Sequence, residues 1–346
     1  MNNKCGELFD RCTAVPAADM DHEEWSSRRR QRIGGSDAGG VLGLSSYASP
    51  LTVYLEKKGL APPKTGSPAT RRGNLLEPAI RQFARDAFPD LIIEPFPYML
   101  TSKAYPFMGA NIDGVIFTEK HVSIGKQEIT GLGGHEIKSS KSGYGFGEDE
   151  IPDAYYAQVQ HYLGVTGLPW IVLSVYILDK EDVRHYPIYR NEEGFIADMI
   201  RREQDFWENF VVPGVMPAPL GLDAEEAMIT GLFNGDSSAL NLGIDASGMC
   251  AEYLELNKSI KDMEERKQAI AVEIKSLLLR NIPPEKPCLN PKANKISARA
   301  GSFSISWSRY DTKRVDTDAL KRDGLFEGYS KTVESGQFRI TEKKEA

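Results

Sequence analysis

The stretch Gly133–Ser140, GGHEIKSS, most constrains the fold of this chain. If it forms a strand, Glu136 and Lys138 leave one face and Ile137 leaves the other, because side chains alternate along a strand. Ile137 then packs toward a helix, with its carbonyl oxygen near the Glu136 carboxylate. A carboxylate, a carbonyl oxygen and an ammonium in one place suit a divalent cation beside a phosphate group. Since Glu-x-Lys triplets are usually solvated faces, this interpretation depends on three polar residues elsewhere: Asp113, Glu77 and Gln158.

The order of predicted elements favours an α/β fold, with a mixed central β-sheet flanked by helices. Helical spacing and capping residues predict helices at Asp21–Arg32, Pro50–Lys58, Ala69–Phe88, Pro152–Val165 and Glu192–Phe210. Runs of β-branched and aromatic residues predict strands at Leu91–Leu100, Tyr105–Thr118, Gly131–Lys138, Trp170–Leu178 and Val183–Tyr189.

The predicted domain organisation has four parts. Residues 1–20 show no periodicity and are expected to be a loose N-terminal arm, followed by a core at 21–211. Glycine, proline and serine mark 212–248 as a linker. Residues 249–341 read as a small α+β accessory domain. Its elements are a long amphipathic helix at Ala251–Arg280, a strand at Ala300–Arg309, a helix near Thr317–Asp323 and a last strand at Gln337–Thr341. The long helix suits either a coiled-coil arm or ordinary docking, and docking is commoner for a helix this short.

Composition limits the cellular setting and the kinds of site. The chain lacks a run of eighteen apolar residues and an apolar signal core, so we expect a cytoplasmic protein. The four cysteines are too scattered for a disulfide framework or for a zinc or iron–sulfur motif. A net charge of −7 argues mildly against indiscriminate coating of nucleic acid. Basic residues nevertheless cluster at Arg28–Arg32 and Arg71–Arg72, which is compatible with a local basic groove.

The segment IGGSDAGG predicts a second polar site. Its two glycines allow close backbone approach to a ligand, and Ser36 fits the N-cap of a short helix. Together with the nearby Arg29, a helix N-terminus and a hydroxyl would suit a phosphate. The simpler interpretation is a glycine-rich turn that opens a helix.

The acidic residues around the strand at Gly131–Lys138 fit the needs of phosphodiester hydrolysis. Two divalent ions can activate a water, neutralise the phosphate and stabilise the leaving oxygen. Asp113, Glu136 and the Ile137 carbonyl are the predicted ligands, which suffices for Mg²⁺ because that ion keeps several waters. Lys138 would orient or deprotonate the attacking water, or stabilise charge on the phosphate. Further residues are expected to complete the surroundings: Glu77, Gln158 and Tyr162.

Several of these residues have simpler interpretations when each is taken alone. Asp113 precedes a glycine and fits a turn, Glu77 fits an exposed helix face, and Tyr162 fits packing on a sheet. His135 and His161 are not assigned catalytic roles, because neither has an acid at helical spacing.

Five segments in this order resemble the YqaJ-like viral recombinase family. They are the run from Trp25 through RRRQRIGGSDAGGVLGLSSYASP, then GNLLEP, GANIDGVI, HEIKSS and YYAQVQHYLGVTG. The family is grouped with phage lambda exonuclease in the PD-(D/E)xK nuclease superfamily. The resemblance spans roughly residues 24–210 and implies a restriction-endonuclease-like core. It also implies a Mg²⁺-dependent exonuclease, with Mn²⁺ as a substitute, that degrades the 5′ strand of duplex DNA ends and leaves a 3′ overhang for a single-strand annealing protein.

The resemblance also implies roles for individual residues. Asp113, Glu136 and the Ile137 carbonyl resemble the metal ligands, and Lys138 resembles the catalytic lysine. The remaining matches are the helix glutamate Glu77, the glutamine Gln158 of a Gln-x-x-x-Tyr element, and Arg29 and Ser36 at the 5′-phosphate.

Two features depart from the lambda enzyme. Asn111 stands where that enzyme has a small hydroxyl residue, two before the metal aspartate, which weakens the expectation of a 5′-phosphate preference. An amide can still donate to phosphate. The C-terminal domain has no counterpart there, although its tail is similar to tails of many phage YqaJ-type proteins.

Other functions of the same fold compete with this one. A restriction-type endonuclease shares the core, whereas a processive exonuclease is expected to clamp its DNA, for which a cyclic homo-oligomer, a ring-shaped trimer by resemblance, would serve. A non-catalytic DNA-end-binding module is the second alternative, but Asp113, Glu136 and Lys138 are all intact. A CRISPR-associated iron–sulfur nuclease is excluded by the cysteine spacing.

Overall fold

A computed structural model describes residues 6–61, 67–232, 242–282, 295–331 and 338–341. The chain divides into two compact units, Met1–Gly235 and Asp236–Ala346. None of the described helices is both long and apolar enough to cross a membrane.

The bounds of the described elements are as follows. The helices of the first unit are α1 (Gly6–Arg11), α2 (His22–Arg30), α3 (Gly35–Val41), α4 (Pro50–Lys57), α5 (Pro68–Ala87), α6 (Asp153–Thr166), α7 (Ala197–Phe206) and α8 (Asp223–Gly231). Its strands are β1 (Cys12–Pro16), β2 (Ile33–Gly34), β3 (Ile92–Pro95), β4 (Tyr98–Ser102), β5 (Met108–Ala110), β6 (Gly114–Ile124), β7 (Gln127–Ser140), β8 (Trp170–Ile177) and β9 (Asp182–Tyr189). The second unit has α9 (Gly243–Arg280), β10 (Lys295–Ala300), β11 (Phe303–Ser308), α10 (Thr317–Arg322) and α11 (Phe326–Tyr329).

The central sheet has five strands in the order β3-β6-β7-β8-β9. Strands β7 and β8 are parallel and the other neighbours are antiparallel, so the predicted mixed sheet is confirmed. Parallel strands need a long crossover, and α6 lies in the connection between β7 and β8. Gly133 in β7 has no room for a side chain, because a Cβ there would lie 2.1 Å from the Trp170 ring.

The helices predicted in the core are confirmed to within two residues at each end. In α2, Asp21 is the predicted N-cap, and its carboxylate accepts a hydrogen bond from the Glu24 N–H at 2.8 Å. Helix α7 is flanked on both sides by a π-helical turn, so the last predicted helix is helical from Glu192 to Val211.

The prediction of a loose arm at residues 1–20 is wrong. Strand β1 pairs antiparallel with β4 in a second sheet of order β1-β4-β5-β2. Leu8 and Cys12 are buried, and the Cys12 thiol donates to the Val165 carbonyl at 3.1 Å. A five-residue strand is too short to show a period, and its partner lies far away in the sequence.

Two predicted strands are each split by the fold. Leu91–Leu100 was expected to be continuous, but β3 and β4 lie in different sheets on either side of Phe96–Pro97. Proline cannot donate to a strand ladder, which accounts for the break. Tyr105–Thr118 divides into β5 and β6, and the gap leaves Asn111 and Asp113 outside regular strand structure.

The predicted linker at 212–248 is shorter than expected, because the first compact unit continues to Gly235. The Tyr54 hydroxyl of α4 donates to the Gly214 carbonyl at 2.9 Å. The buried Glu225 carboxylate in α8 accepts from the backbone N–H groups of Leu220 and Leu222. Glycine and proline therefore mark a segment that is anchored to α4 by specific contacts, although most of its described side chains are exposed.

The second unit departs from the prediction in detail. Helix α9 begins eight residues before the predicted Ala251. The predicted strand Ala300–Arg309 is mainly the second half of a hairpin, in which β10 and β11 are antiparallel. Helix α10 agrees with the prediction. Of the predicted last strand, residues 338–341 are not in a strand, and Gln337 lies outside the described residues.

Candidate active site

The split between β5 and β6 brings Asp113 beside the central strand. Gly114 pairs with His135, so Asp113 comes next to Glu136 across the two strands. The Asp113 Oδ2 atom accepts a hydrogen bond from the Ile137 N–H at 2.7 Å. On the same face of β7, the Lys138 ammonium lies 2.5 Å from Glu136 Oε1. These predicted residues therefore form one cluster, referred to below as the acidic cluster.

Helix α6 closes the acidic cluster from above the sheet. The Gln158 amide donates to Glu136 Oε1 at 2.7 Å, and its nitrogen lies 3.1 Å from the Tyr162 hydroxyl. The four-residue spacing places both side chains on one face of the helix. Both are buried. Glu136 is thus held by one neutral donor and by the Lys138 ammonium.

Glu77 reaches the cluster through an arginine that sequence reasoning missed. On α5, the Arg81 guanidinium lies 2.5 Å from Glu77 Oε1 and donates to the Asp113 carbonyl at 3.0 Å. Arg81 is buried and connects the helix glutamate to the backbone that carries the aspartate. The only sequence signal for this was the spacing of Glu77 and Arg81, which matches a helical ion pair.

Burial shapes the protonation of the cluster. Burial, with the neighbouring Asp113 carboxylate adding to it, raises the pKa of Glu136 to about 8, although Lys138 opposes the shift. Burial also raises the pKa of Asp113. Burial alone would lower the pKa of Lys138, but Glu136 and Asp113 outweigh it and raise that pKa. Lys138 is therefore a cation, and the two carboxylates repel each other when both are ionised.

The donor set fits a hard divalent cation. The Glu136 Oε2 atom is buried and has no hydrogen-bond partner among the described residues. An unsatisfied buried acceptor costs about 1–3 kcal/mol, and more when charged, so this oxygen is suited to an additional positive ligand. Within the described part of the chain, no three or more His, Cys, Asp and Glu side chains are arranged as a metal group. Two carboxylates and a backbone carbonyl would therefore need bound waters, which Mg²⁺ retains.

A cavity beside the cluster gathers the residues predicted to bind phosphate. The Arg29 guanidinium donates to the Ser36 hydroxyl and stacks over the Trp25 ring at 5.2 Å. The cavity is lined by Trp25, Arg29, Arg32, Gly34, Gly35, Ser36, Met99, Gly109, Asn111 and Tyr162. Tyr162 also approaches Gln158, so it connects this arginine cavity to the acidic cluster.

Ser36 is not the N-cap that the sequence predicted. Helix α3 follows Gly34, whose N–H donates to Asp37 Oδ2 at 2.7 Å. Asp37 is buried, and its carboxylate lies 2.5 Å from the Lys57 ammonium and 3.5 Å from the Arg29 guanidinium. Burial favours a raised pKa for Asp37, but these cations outweigh it and lower the pKa to about 2. The Ser36 hydroxyl is thereby left to accept from Arg29.

Arg32 is a second cation of the arginine cavity that sequence reasoning did not single out. Its Nε donates to the Arg28 carbonyl at 3.2 Å, and a terminal nitrogen lies 4.0 Å from the Met99 sulfur. Burial lowers the pKa of Arg32, with Arg28 adding to the effect. Gly109 allows this placement, because a Cβ there would lie 2.3 Å from the Arg32 side chain.

The two histidines left out of the predicted site have other partners. His161 is buried between Glu203, at 2.8 Å, and the Gly109 carbonyl, at 3.0 Å. Burial opposes protonation of His161, but Glu203 outweighs it and raises the pKa. His135 hydrogen-bonds Ser174 at 2.8 Å, and burial lowers its pKa to about 3.

Residues 24–169 match the family model of the YqaJ-like viral recombinase domain. A Bacillus subtilis (strain 168) protein described as "Uncharacterized protein YqaJ" is 26% identical over 324 residues, which is 93% of this chain and 94% of that protein. The resemblance drawn from the five motifs is therefore confirmed.

Two crystal structures of the alkaline exonuclease LHK-Exo, from Laribacter hongkongensis, overlap 54% of this chain and 91% of theirs. The complex with dAMP is 18% identical with a TM-score of 0.39, and the other structure is 16% identical with a TM-score of 0.37. At TM-scores below 0.5 these similarities add no evidence about the site.

The pKa of Glu136 predicts a pH dependence of stability for the cation-free protein. Folded Glu136 keeps its proton up to a pKa of about 8, whereas an unfolded glutamate loses it near ~4.3. Between these values the folded state binds more protons, so the free energy of unfolding should fall as pH rises. Melting temperatures in EDTA from about pH 5 to 8.5 should decline more steeply for the wild type than for Glu136→Gln. Parallel curves would show that Glu136 titrates normally.

Proposed function

We propose that the chain is a metal-dependent deoxyribonuclease, because residues 24–169 match the family model of the YqaJ-like viral recombinase domain. We propose further that it is a 5′-to-3′ exonuclease acting on linear double-stranded DNA ends. The observation that carries this proposal is the Glu136 carboxylate, buried beside Asp113 and Lys138 with one oxygen that has no partner in the described part of the chain. Such a group is costly to keep unless it binds a cation.

The proposed cation is Mg²⁺, for which Mn²⁺ could substitute, held by Asp113, Glu136 and the Ile137 carbonyl. When bound, it would supply a Lewis acid for the phosphate and a lowered pKa for the attacking water. Gln158 supports this assignment, because its amide holds one oxygen of Glu136 and leaves the other available. Arg81 supports it as well, because it anchors the backbone of Asp113.

Lys138 is proposed as the catalytic lysine. Its raised pKa favours an ammonium at neutral pH, which suits stabilisation of negative charge on the phosphate better than removal of a proton from water. Its contact with Glu136 at 2.5 Å keeps that charge at the edge of the acidic cluster. About one quarter of the Lys138 side chain is exposed, so the ammonium is accessible to a substrate.

The arginine cavity is proposed to bind the terminal 5′-phosphate. Two cationic side chains, Arg29 and Arg32, line this cavity, and the Asp37 carboxylate behind Arg29 is paired with the buried Lys57. A terminal phosphate carries more negative charge than an internal diester, so an excess of cations favours a strand end. Arg32 also supplies a donor that compensates for Asn111 in place of a hydroxyl residue.

Contact between the cavity and the acidic cluster supports cleavage near a held 5′ end. Tyr162 lines the cavity and hydrogen-bonds Gln158, which in turn holds Glu136. Degradation of the 5′ strand would leave a 3′ overhang, and a single-strand annealing protein is the proposed recipient. A ring-shaped trimer remains the oligomer implied by resemblance.

Replacing either proposed ligand should remove cleavage while DNA-end binding persists. Asp113→Asn and Glu136→Gln should lose more than the roughly 10–100-fold typical of residues outside the first coordination sphere, because each removes an anionic ligand. Glu128→Gln is the matched control, since Glu128 is an exposed acid at the other end of β7. The assay uses linear duplex labelled separately at each 5′ and 3′ end, with Mg²⁺ or EDTA.

Three results of this assay would contradict the proposal. Near-wild-type turnover by Glu136→Gln would contradict the assignment of Glu136 as a metal ligand. Cleavage of a supercoiled circle at the same rate as linear duplex would identify an endonuclease. Intact linear DNA with tight end binding by the wild type would identify a non-catalytic module.

The arginine cavity predicts faster initiation on 5′-phosphate than on 5′-hydroxyl duplex ends. Arg29→Ala and Arg32→Ala should each reduce this preference, because each removes a cation from the cavity. Arg28→Ala is the control, since Arg28 is on the same helix but pairs with Glu24 at 2.9 Å and does not line the cavity. Equal initiation rates on both ends in the wild type would rule the pocket out.

A further inference from the structure

Helix α9 carries an exposed stripe that repeats every seven residues. The spacing alternates between four and three residues along the whole stripe. The stripe consists of Met249, Tyr253, Leu256, Ile260, Met263, Lys267, Ile270, Ile274 and Leu277. Its apolar members are between 36% and 65% exposed, so the described part of the second unit does not bury them. Such regularity is the pattern of a two-helix seam.

Helix α9 contacts the β10–β11 hairpin through a face beside the stripe. The Lys275 ammonium lies over the Trp307 ring of β11 at 5.5 Å, and Ala271 and Leu278 on that side are partly buried. One stripe residue, Tyr253, makes an edge contact with the Phe338 ring at 5.9 Å, which leaves it 41% exposed. The hairpin therefore packs beside the stripe and leaves it open.

The residue types suit a seam of two helices. In heptad notation, the a positions hold Tyr253, Ile260, Lys267 and Ile274, and the d positions hold Met249, Leu256, Met263, Ile270 and Leu277. Eight of these nine residues are large and apolar, as the a and d positions of a coiled coil require, and Lys267 is the exception. The single lysine at an a position lowers stability and specifies the register.

Charge complementarity selects a second copy of this chain in antiparallel orientation. In a parallel pair, Lys267 of one helix would face Lys267 of the other and would lie next to Arg266 of that second helix. No g position would face an e position of opposite charge. An antiparallel pair sets Glu252 against Arg280 twice and brings Lys267 close to Glu264 of the second copy. Like charges face each other only where Arg266 of one helix meets Arg266 of the other, and where Glu264 meets Glu264.

The stripe is also self-complementary in that orientation. With the helix reversed, each stripe residue from Tyr253 to Leu277 meets another residue of the stripe. The layers are Tyr253 with Leu277, Leu256 with Ile274, Ile260 with Ile270, and Met263 with Lys267. We propose that α9 forms an antiparallel two-stranded coiled coil with α9 of a second copy of this chain, a two-fold contact that would join chains of different rings if the core forms the ring-shaped trimer. The seam from Tyr253 to Leu277 is about 36 Å long at 1.5 Å per residue.

Cysteine cross-linking of the full chain tests the partner and the orientation together. In the doubly substituted Leu256→Cys, Ile274→Cys chain the two thiols meet across the antiparallel seam, so mild oxidation should give a covalent dimer. Leu256→Cys alone should give no more dimer than the wild type with its native cysteines. Cross-linking of Leu256→Cys to itself would overturn the orientation, and absence of dimer from the doubly substituted chain would overturn the seam.

A second pair of variants does not depend on introduced thiols. Ile260→Asp should lower the molar mass measured by light scattering, because it places a charge in the seam. Val272→Asp is the matched control on the same helix, since Val272 is 54% exposed but lies outside the stripe. Far-ultraviolet circular dichroism checks that both remain folded. Equal masses for Ile260→Asp, Val272→Asp and the wild type would overturn the proposal. Neither experiment uses DNA, so their outcome is separate from that of the proposed nuclease function.

Discussion

The interaction on which the site depends is the contact between two buried carboxylates, Asp113 and Glu136. Neither would be stable as an isolated anion in the protein interior. Asp113 accepts a hydrogen bond from the Ile137 N–H, while Glu136 accepts hydrogen bonds from the Lys138 ammonium and the Gln158 amide. One Glu136 oxygen finds no hydrogen-bond partner among the residues that the structure describes, and burial raises the pKa of Glu136 to about 8. Without a further positive ligand, the fold therefore favours a proton on Glu136 at neutral pH.

Ionic contacts also hold the surroundings of this pair. Arg81 connects Glu77 to the backbone of Asp113, and Asp37 holds Arg29 together with Lys57. Of these contacts only Lys57–Asp37 is buried on both sides, and removing one partner of such a pair costs about 3–5 kcal/mol, whereas replacing the whole pair by apolar groups can be neutral. Their contribution is thus geometric more than energetic. They orient a guanidinium and a backbone segment toward two adjoining spaces, the arginine cavity and the acidic cluster.

Sequence reasoning succeeded where the chemistry is local and failed where it is long-range. The strand that carries Glu136 and Lys138, and the helix that carries Gln158 and Tyr162, were predictable because each pair has the spacing of its element. Lys57 was not predictable, because it reaches Asp37 from a separate helix with no mark in its own sequence. The N-terminal strand β1 was missed because its partner lies far along the chain. The N-cap of α3 is Gly34 and not Ser36, and Asp37 accepts the Gly34 N–H; this was missed because serine and glycine both suit an N-cap.

The central claim is that Glu136 is kept protonated until a divalent cation replaces the proton. Calorimetric titration of the cation-free protein with Mn²⁺, in two buffers of different ionisation enthalpy, counts the protons released on binding. A pKa of about 8 predicts roughly 0.9 proton per bound cation at pH 7 and roughly 0.1 at pH 9. Glu136→Gln should bind weakly and release none from this position. Binding with the same proton count at both pH values, or with unchanged release in Glu136→Gln, would contradict the claim.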